Sequence, residues 1–309
     1  MAEQSVEGHE TRVSDRVSQV SPQSALDEAR TIGLMLFPDM DLETVERVFG
    51  DVAKLFAGQW PGYKACNTEY HDLKHTTDAL LSISRLIHGA ILQGEPLRQR
   101  HIVLGMVCAL LHDSGYIQTV GDRTGTGAKY TLVHVPRSVG FAKEYLPKLG
   151  FSREDLVDCR DILNCTGLNA RVSEIRFRSR ESELLGKMLG SADLLGQMAD
   201  RTYLEKLLFL FYEFSEGHVA GYDTELDLLR KTVAFYDSTE GRLAGELGGA
   251  GRYMIGHFRE RWGMDRDPYQ DGIQKNRAYL LHIVKNHEQE YRRLLRRGNI
   301  VGRLQEKGL

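Results

Sequence analysis

Ile102-Val103-Leu104-Gly105-Met106-Val107-Cys108-Ala109-Leu110-Leu111 carries no charge, and His112-Asp113 follows it directly before Ser114-Gly115. Such a run is too apolar for a solvated helix, so it predicts a core helix that starts near Arg98 and stops at the Ser-Gly pair. An imidazole and a carboxylate at the end of a core helix are costly to desolvate, and a divalent cation offsets that cost most directly. Upstream lies Tyr70-His71-Asp72-Leu73-Lys74-His75. A helix from His71 to about Ile91 would place His71 and His75, four residues apart, on one face. Downstream, Gly190-Ser191-Ala192-Asp193-Leu194-Leu195-Gly196 sets one acid among small and apolar residues. The three segments together predict a metal site between core helices.

Helical periodicity continues from about Pro22, and no series of alternating segments with hairpin turns interrupts it. The predicted fold class is all-α, a single helical domain over residues 23–309 behind a disordered lead at residues 1–22. Further helices are expected at Asp41–Phe56, Glu154–Cys165, Glu181–Met198, after the Asp223-Thr224-Glu225 cap, and from Tyr269 to Arg297. The aromatic stretch Thr202–Phe214 is expected to pack into the core. Glycines 245, 248, 249 and 251 lack the strand-to-helix context of a phosphate loop and read as a hinge or loop. The loop from Gly121 to Gly127 is expected to form a rim or lid.

The chain of 309 residues is 41% hydrophobic, enough for a sizeable core, and its formal charge of −3 gives no footprint for nucleic acid. No stretch has the apolar length of a membrane span, and the N-terminus lacks a signal-peptide core. Cys66, Cys108, Cys159 and Cys165 show no paired metal spacing, so a reducing, cytoplasmic setting is expected. Arg171, Arg176, Arg178 and Arg180 read as a solvated face. His9, His88, His101, His218, His257, His282 and His287 have no partners at useful spacing and read as surface or structural residues.

The order of a first His, a His-Asp pair and a distant Asp resembles the HD superfamily of metal-dependent phosphohydrolases, over roughly Tyr70 to Asp200. Tyr70-His71 with His75 is similar to the Tyr-His-Asn-x-x-His element of cyclic-nucleotide phosphodiesterase catalytic domains, with Asp72 where Asn is usual. The resemblance implies that His75, His112, Asp113 and Asp193 ligate a first metal and that His71 is the proton donor. The fuller His complement of dinuclear-iron members, and the acidic pair that alarmone hydrolases carry after His-Asp, are not found here.

Two imidazoles and two carboxylates suit zinc, manganese, iron or nickel better than calcium. The second oxygen of Asp113 could bridge to a second ion, held largely by water, for which magnesium or manganese is apt. Water between two cations is acidified and can attack phosphorus, and His71 could protonate the leaving oxygen. His134, three residues before Arg137 near a helix start with Pro136 in its first turn, could extend the second site. Arg137, Lys74 and Gln197 are the candidate substrate contacts. The expected activity is hydrolysis of a phosphodiester or phosphomonoester, with a small phosphorylated substrate such as a nucleotide and the oligomeric state open. A non-catalytic metal- or ligand-binding module is the alternative, and a dinuclear-iron oxygenase would need further His ligands.

Overall fold

The computed structural model describes residues 21–167 and 170–309. Among them, the chain forms α1 (Pro22–Leu36), α2 (Glu43–Phe56), α3 (Leu73–Leu92), α4 (Gln99–Leu111), α5 (His134–Tyr145), α6 (Arg153–Leu163) and α7 (Arg180–Ala199). The C-terminal half adds α8 (Tyr203–Glu216), α9 (Glu225–Ala244), α10 (Tyr253–Trp262), α11 (Pro268–Asn286), α12 (Tyr291–Leu294) and α13 (Ile300–Glu306). The described residues contain no strand, only isolated bridges between Ala57 and Ala65 and between Tyr63 and Thr119. The fold is all-α, and none of its helices is long and apolar enough to cross a membrane. One continuous apolar core reaches from Leu26 in α1 to Leu304 in α13.

Local chemistry sets most helix starts. Ser21 caps α1 by accepting the Ser24 N–H, with Pro22 as first helical residue. Those two residues therefore belong to the helical body and not to a lead; residues 1–20 lie outside the described part. Ser152 and Asp155 form a reciprocal capping box on α6, and Thr224 caps α9. The glycine-rich segment after α9 is a loop as expected, with Gly248 and Gly249 at positive φ.

α3 is the central element. Every residue from His75 to Ala90 is buried, because α1, α4, α7 and α10 pack around it. Two of its serines are satisfied within the helix: the Ser82 and Ser84 hydroxyls donate to the Asp78 and Leu80 carbonyls one turn back. α4 lies beside it, and α7 packs against both. The two helices predicted from uncharged or small-residue runs thus flank the one carrying His75.

Two boundaries differ from expectation. α3 starts at Leu73, with the Asp72 carboxylate accepting the His75 N–H at 2.8 Å, so His71 precedes the helix and does not share a helical face with His75. Asp72 is therefore accounted for as an N-cap. The single helix expected from Tyr269 to Arg297 instead stops at Asn286, where His287 leaves helical geometry, and resumes as the short α12 and α13. Arg292 does not complement a helix end: its guanidinium donates twice to the buried Glu225 carboxylate, at 2.7 and 2.8 Å, fastening this tail to α9.

Candidate metal centre

Three packed helices each deliver a donor to one point. His75 sits in the first turn of α3, His112 and Asp113 follow the last turn of α4, and Asp193 lies within α7. His75 Nε2 is 3.2 Å from Asp113 Oδ2 and 3.2 Å from Asp193 Oδ1. His112 Nε2 is 3.3 Å from His75 Nε2, 3.3 Å from Asp113 Oδ2 and 3.8 Å from Asp193 Oδ1. His75, His112 and Asp193 each place a ligand atom within 4.8 Å of the other two. Ligand bonds of about 2.0–2.2 Å put neighbouring donors roughly 3.0–3.4 Å apart, the spacing that most of these contacts show.

The hydrogen bonding agrees with a cation. His112 Nδ1 donates to the Ala109 carbonyl at 2.8 Å, which leaves the lone pair on Nε2, facing His75. Asp113 Oδ2 is buried close to two imidazole nitrogens, yet it is in hydrogen-bond geometry with neither. An anionic oxygen in that position calls for positive charge, from a bound cation or, without one, from a protonated His75. Burial pushes the His75 pKa down, but Asp113 and Asp193 outweigh it and raise it to about 10. The donors present fit a divalent ion of the borderline class.

Around the centre, Gln197 bridges one turn of α7: its Nε2 donates to Asp193 Oδ1 at 3.2 Å, and its Oε1 accepts from the Tyr70 hydroxyl. Gln197 lines the cavity, but its polar atoms are committed to orienting Asp193. His71 stands beside the ligands, held by Glu213 Oε2 on its Nδ1 at 2.6 Å, while Glu213 Oε1 accepts the N–H groups of Glu69 and Tyr70 at 2.7 Å each. The Tyr116 ring is stacked between His71 and His134, with centroids at 4.2 and 4.6 Å. His134 donates from Nδ1 to the Thr131 carbonyl at 2.7 Å and turns Nε2 toward Asp113 Oδ1, 3.8 Å away. Burial lowers its pKa, which keeps the imidazole neutral and able to ligate.

Two expected substrate contacts are not at the centre. Arg137 lies flat over the Tyr130 ring, 3.5 Å from its centroid, and donates to the carbonyls of Gly115 and Ile117 at 2.6 and 3.0 Å. It braces the turn that follows His112-Asp113. A side chain on Gly115 would collide with the His134 carbonyl at 2.0 Å, so the glycine permits this turn to seat against α5. Lys74 points away from His75 and donates to Asp78 at 2.6 Å, with Asp200 at 3.7 Å, because α3 presents Lys74 and Asp78 on a common side four residues apart.

The Gly121–Gly127 loop is not a lid over the cavity. Glu216 accepts from Thr126, Asn67 accepts the Gly127 N–H at 2.8 Å, and Gln118 donates into the loop at Thr124. The arginine cluster is paired on the surface: Arg171 with Glu174, Arg178 with Glu154 and Arg180 with Glu95. Glu213 and Tyr116 were missed in the sequence. Glu213 carried the signal that singled out Asp193, a lone acid in an apolar stretch, here Leu210-Phe211-Tyr212-Glu213-Phe214.

The centre opens into a cavity of about 920 Å³ whose polar end is formed by His71, His75, Asp113, Tyr116, His134 and Asp193. Fold and site together define an all-α protein with a buried two-histidine, two-aspartate cluster at one end of a deep cavity. A family model described as Npun_R2479-like matches residues 60–242, more than half of the chain, and the chain belongs to that family. No curated protein and no solved structure matches it.

Proposed function

We propose that this chain is a metal-dependent phosphohydrolase, of the kind its resemblance to the HD superfamily implies, cleaving a phosphodiester or phosphomonoester. The observation that most supports this reading is the convergence of His75, His112, Asp113 and Asp193, with Asp113 Oδ2 buried and without a hydrogen bond. Zinc, manganese, iron or nickel fits that donor set, and Asp113 Oδ1 with His134 offers a place beside which magnesium or manganese could sit. A bound cation would acidify water and counter charge on the phosphoryl oxygens.

The remaining work falls to the chain's own side chains. Glu213 fixes the His71 ring through Nδ1, and His71 Nε2 is the atom that hands a proton to the leaving oxygen. Tyr116 packs against the same ring and limits its tilt. Gln197 holds Asp193 in the orientation ligation needs. All four cysteines are free thiols, which supports a cytoplasmic setting as part of the proposal.

Elemental analysis of the purified chain with an Asp113→Asn control, followed by a phosphoester screen, tests the reading. About one transition metal per chain, lost in the variant together with turnover, is the expected result. No metal after reconstitution, or an unchanged rate in Asp113→Asn, would overturn it. A second reading, a non-catalytic ligand-binding module, draws support from the orientation of Lys74 and Arg137, neither of which reaches the centre to grip phosphate. Such a module would hold a phosphorylated ligand without releasing product, whatever metal is supplied.

A further inference from the structure

We infer that the group esterified to phosphate is apolar, an alkyl, prenyl or aryl alcohol, and that the cleft between α8 and α9 is its site. The inference rests on the phosphohydrolase reading for the phosphate end alone. Away from the metal centre, α8 lines the cavity with Tyr203, Leu207, Leu210 and Phe214, and α9 faces it with Leu228, Thr232, Phe235 and Thr239. Both series step by four, three and four residues, the spacing of one helical stripe. Leu210, Phe214 and Phe235 are only partly buried although they lie between two packed helices. Each packs against the core on one side, Phe214 with its ring centroid 5.2 Å from that of Tyr222, and each also lines the cavity.

The charge pattern argues against a nucleotide. Of the described residues lining the cavity, the cations outside the centre are Arg171, Lys231 and Arg242. Arg171 pairs with Glu174 at 3.2 Å, and Lys231 pairs with Asp227 at 2.8 Å. Arg242 donates to the carbonyls of Cys165 and Gly167 at 3.1 and 2.8 Å. Arg242 is committed to backbone carbonyls, and Arg171 and Lys231, 75% and 49% exposed, lie in solvent-screened pairs, so none of the three is a buried cation held ready for a polyphosphate. At the mouth, Leu132 lines the cavity and is 65% exposed, and Val133 beside it is 47% exposed. The entrance also carries the exposed Arg171, Glu174 and Lys231, while the wall beyond it is mostly apolar with Thr232 and Thr239 among the α9 residues, and the volume of about 920 Å³ falls within the range of small-molecule sites, roughly 300–1,000 Å³.

Hydrolysis of such an ester breaks the bond between phosphorus and the alcohol oxygen. The oxygen of water joins phosphorus and keeps one proton on the phosphate product, the leaving alkoxide takes its proton from His71 to depart as the free alcohol, and the second proton of the water restores His71. The cleft would supply binding for that alcohol and exclude solvent from its chain.

Calorimetric titration of the zinc-supplemented chain with ethyl-, hexyl- and decylphosphonate, beside AMP, tests this without requiring turnover. Affinity should rise about two- to fourfold per added methylene until the cleft is filled. Leu210→Arg should abolish that gradient, and Leu210→Ser should flatten it if the arginine variant does not fold. Equal affinity across the series, or tighter binding of AMP than of decylphosphonate, would overturn the inference. Graded binding with no hydrolysis of the matching alkyl phosphates would sustain the cleft assignment and sink the phosphohydrolase reading. Hydrolysis of AMP with a flat phosphonate series would do the reverse.

Discussion

Helix α3 joins two buried imidazole pairs, one at each end, whose near-identical contacts have opposite electrostatics. At its start, His75 Nε2 meets His112 Nε2 at 3.3 Å; near its end, His88 Nδ1 meets His257 Nδ1 at 3.2 Å. The first pair lies against Asp113 and Asp193, and these carboxylates raise the His75 pKa to about 10 despite burial. At the second, burial outweighs the opposing charge of Glu260 and lowers the His88 pKa. Burial, with Arg85, Arg261 and the neighbouring His88 all disfavouring a proton there, lowers the His257 pKa to about 2. Arg85 is itself enclosed by Phe258, Trp262 and Tyr269, with its guanidinium 5.3 to 5.9 Å from their ring centroids. A buried histidine pair is thus neutral packing unless acids surround it, and at His75 and His112 the acids make the candidate metal centre.

The largest expected effect removes that difference. Asp113→Asn should cost more than about 1,000-fold in turnover and bring metal content close to zero, with the far-UV circular dichroism unchanged. Retained metal in this variant would show that the carboxylate is not what separates the two pairs. Glu213→Gln keeps an acceptor for the Glu69 and Tyr70 N–H groups but loses the charge on His71. A fall of about 100-fold in kcat at unchanged metal content is expected, since general acid catalysis is worth roughly 100- to 10,000-fold.

The second pair gives a stability signature instead of an activity one. His257 is neutral in the folded chain, and its folded pKa of about 2 is depressed from 6.5, so its contribution is fully present above pH 6.5 and is lost as pH falls toward 2. Denaturant melts at pH 7 and pH 5 should differ by about 2 kcal/mol from this group. A His257→Phe variant should show a correspondingly smaller acid sensitivity, and an equal one would place the acid lability elsewhere. The smallest effect concerns support of the centre: Gln197→Ala should weaken metal affinity by about tenfold, read by competition with a chelator, because Asp193 loses the amide that orients it.

The residues of the centre were legible because their chemistry conflicts with their surroundings. His112-Asp113 after an uncharged run and Asp193 among small residues are costly choices for a core, and such conflicts stand out in one dimension. Arg137 and Lys74 were misassigned because a cation near a site in sequence is free to turn either way. Here Arg137 finds backbone carbonyls and an aromatic face, while Lys74 finds Asp78 and Asp200. The four-residue spacing of His71 from His75 matches a helical turn, but the Asp72 carboxylate caps the helix one residue after His71.

From the order of residues alone follow the all-α class, the buried character of α4, and the set of two imidazoles and two carboxylates. Helical period and the residue types that are costly to bury are both properties of the local sequence, so they can be read without knowing any tertiary contact. Only the folded chain decides that Glu213, 142 residues beyond His71, holds that imidazole. The same holds for Tyr116 stacking between His71 and His134, and for the facing stripes of α8 and α9 that wall the cavity. Each depends on how α3, α4, α7, α8 and α9 pack together, and a helix that shows the same spacing can turn its stripe toward a neighbour or toward a void.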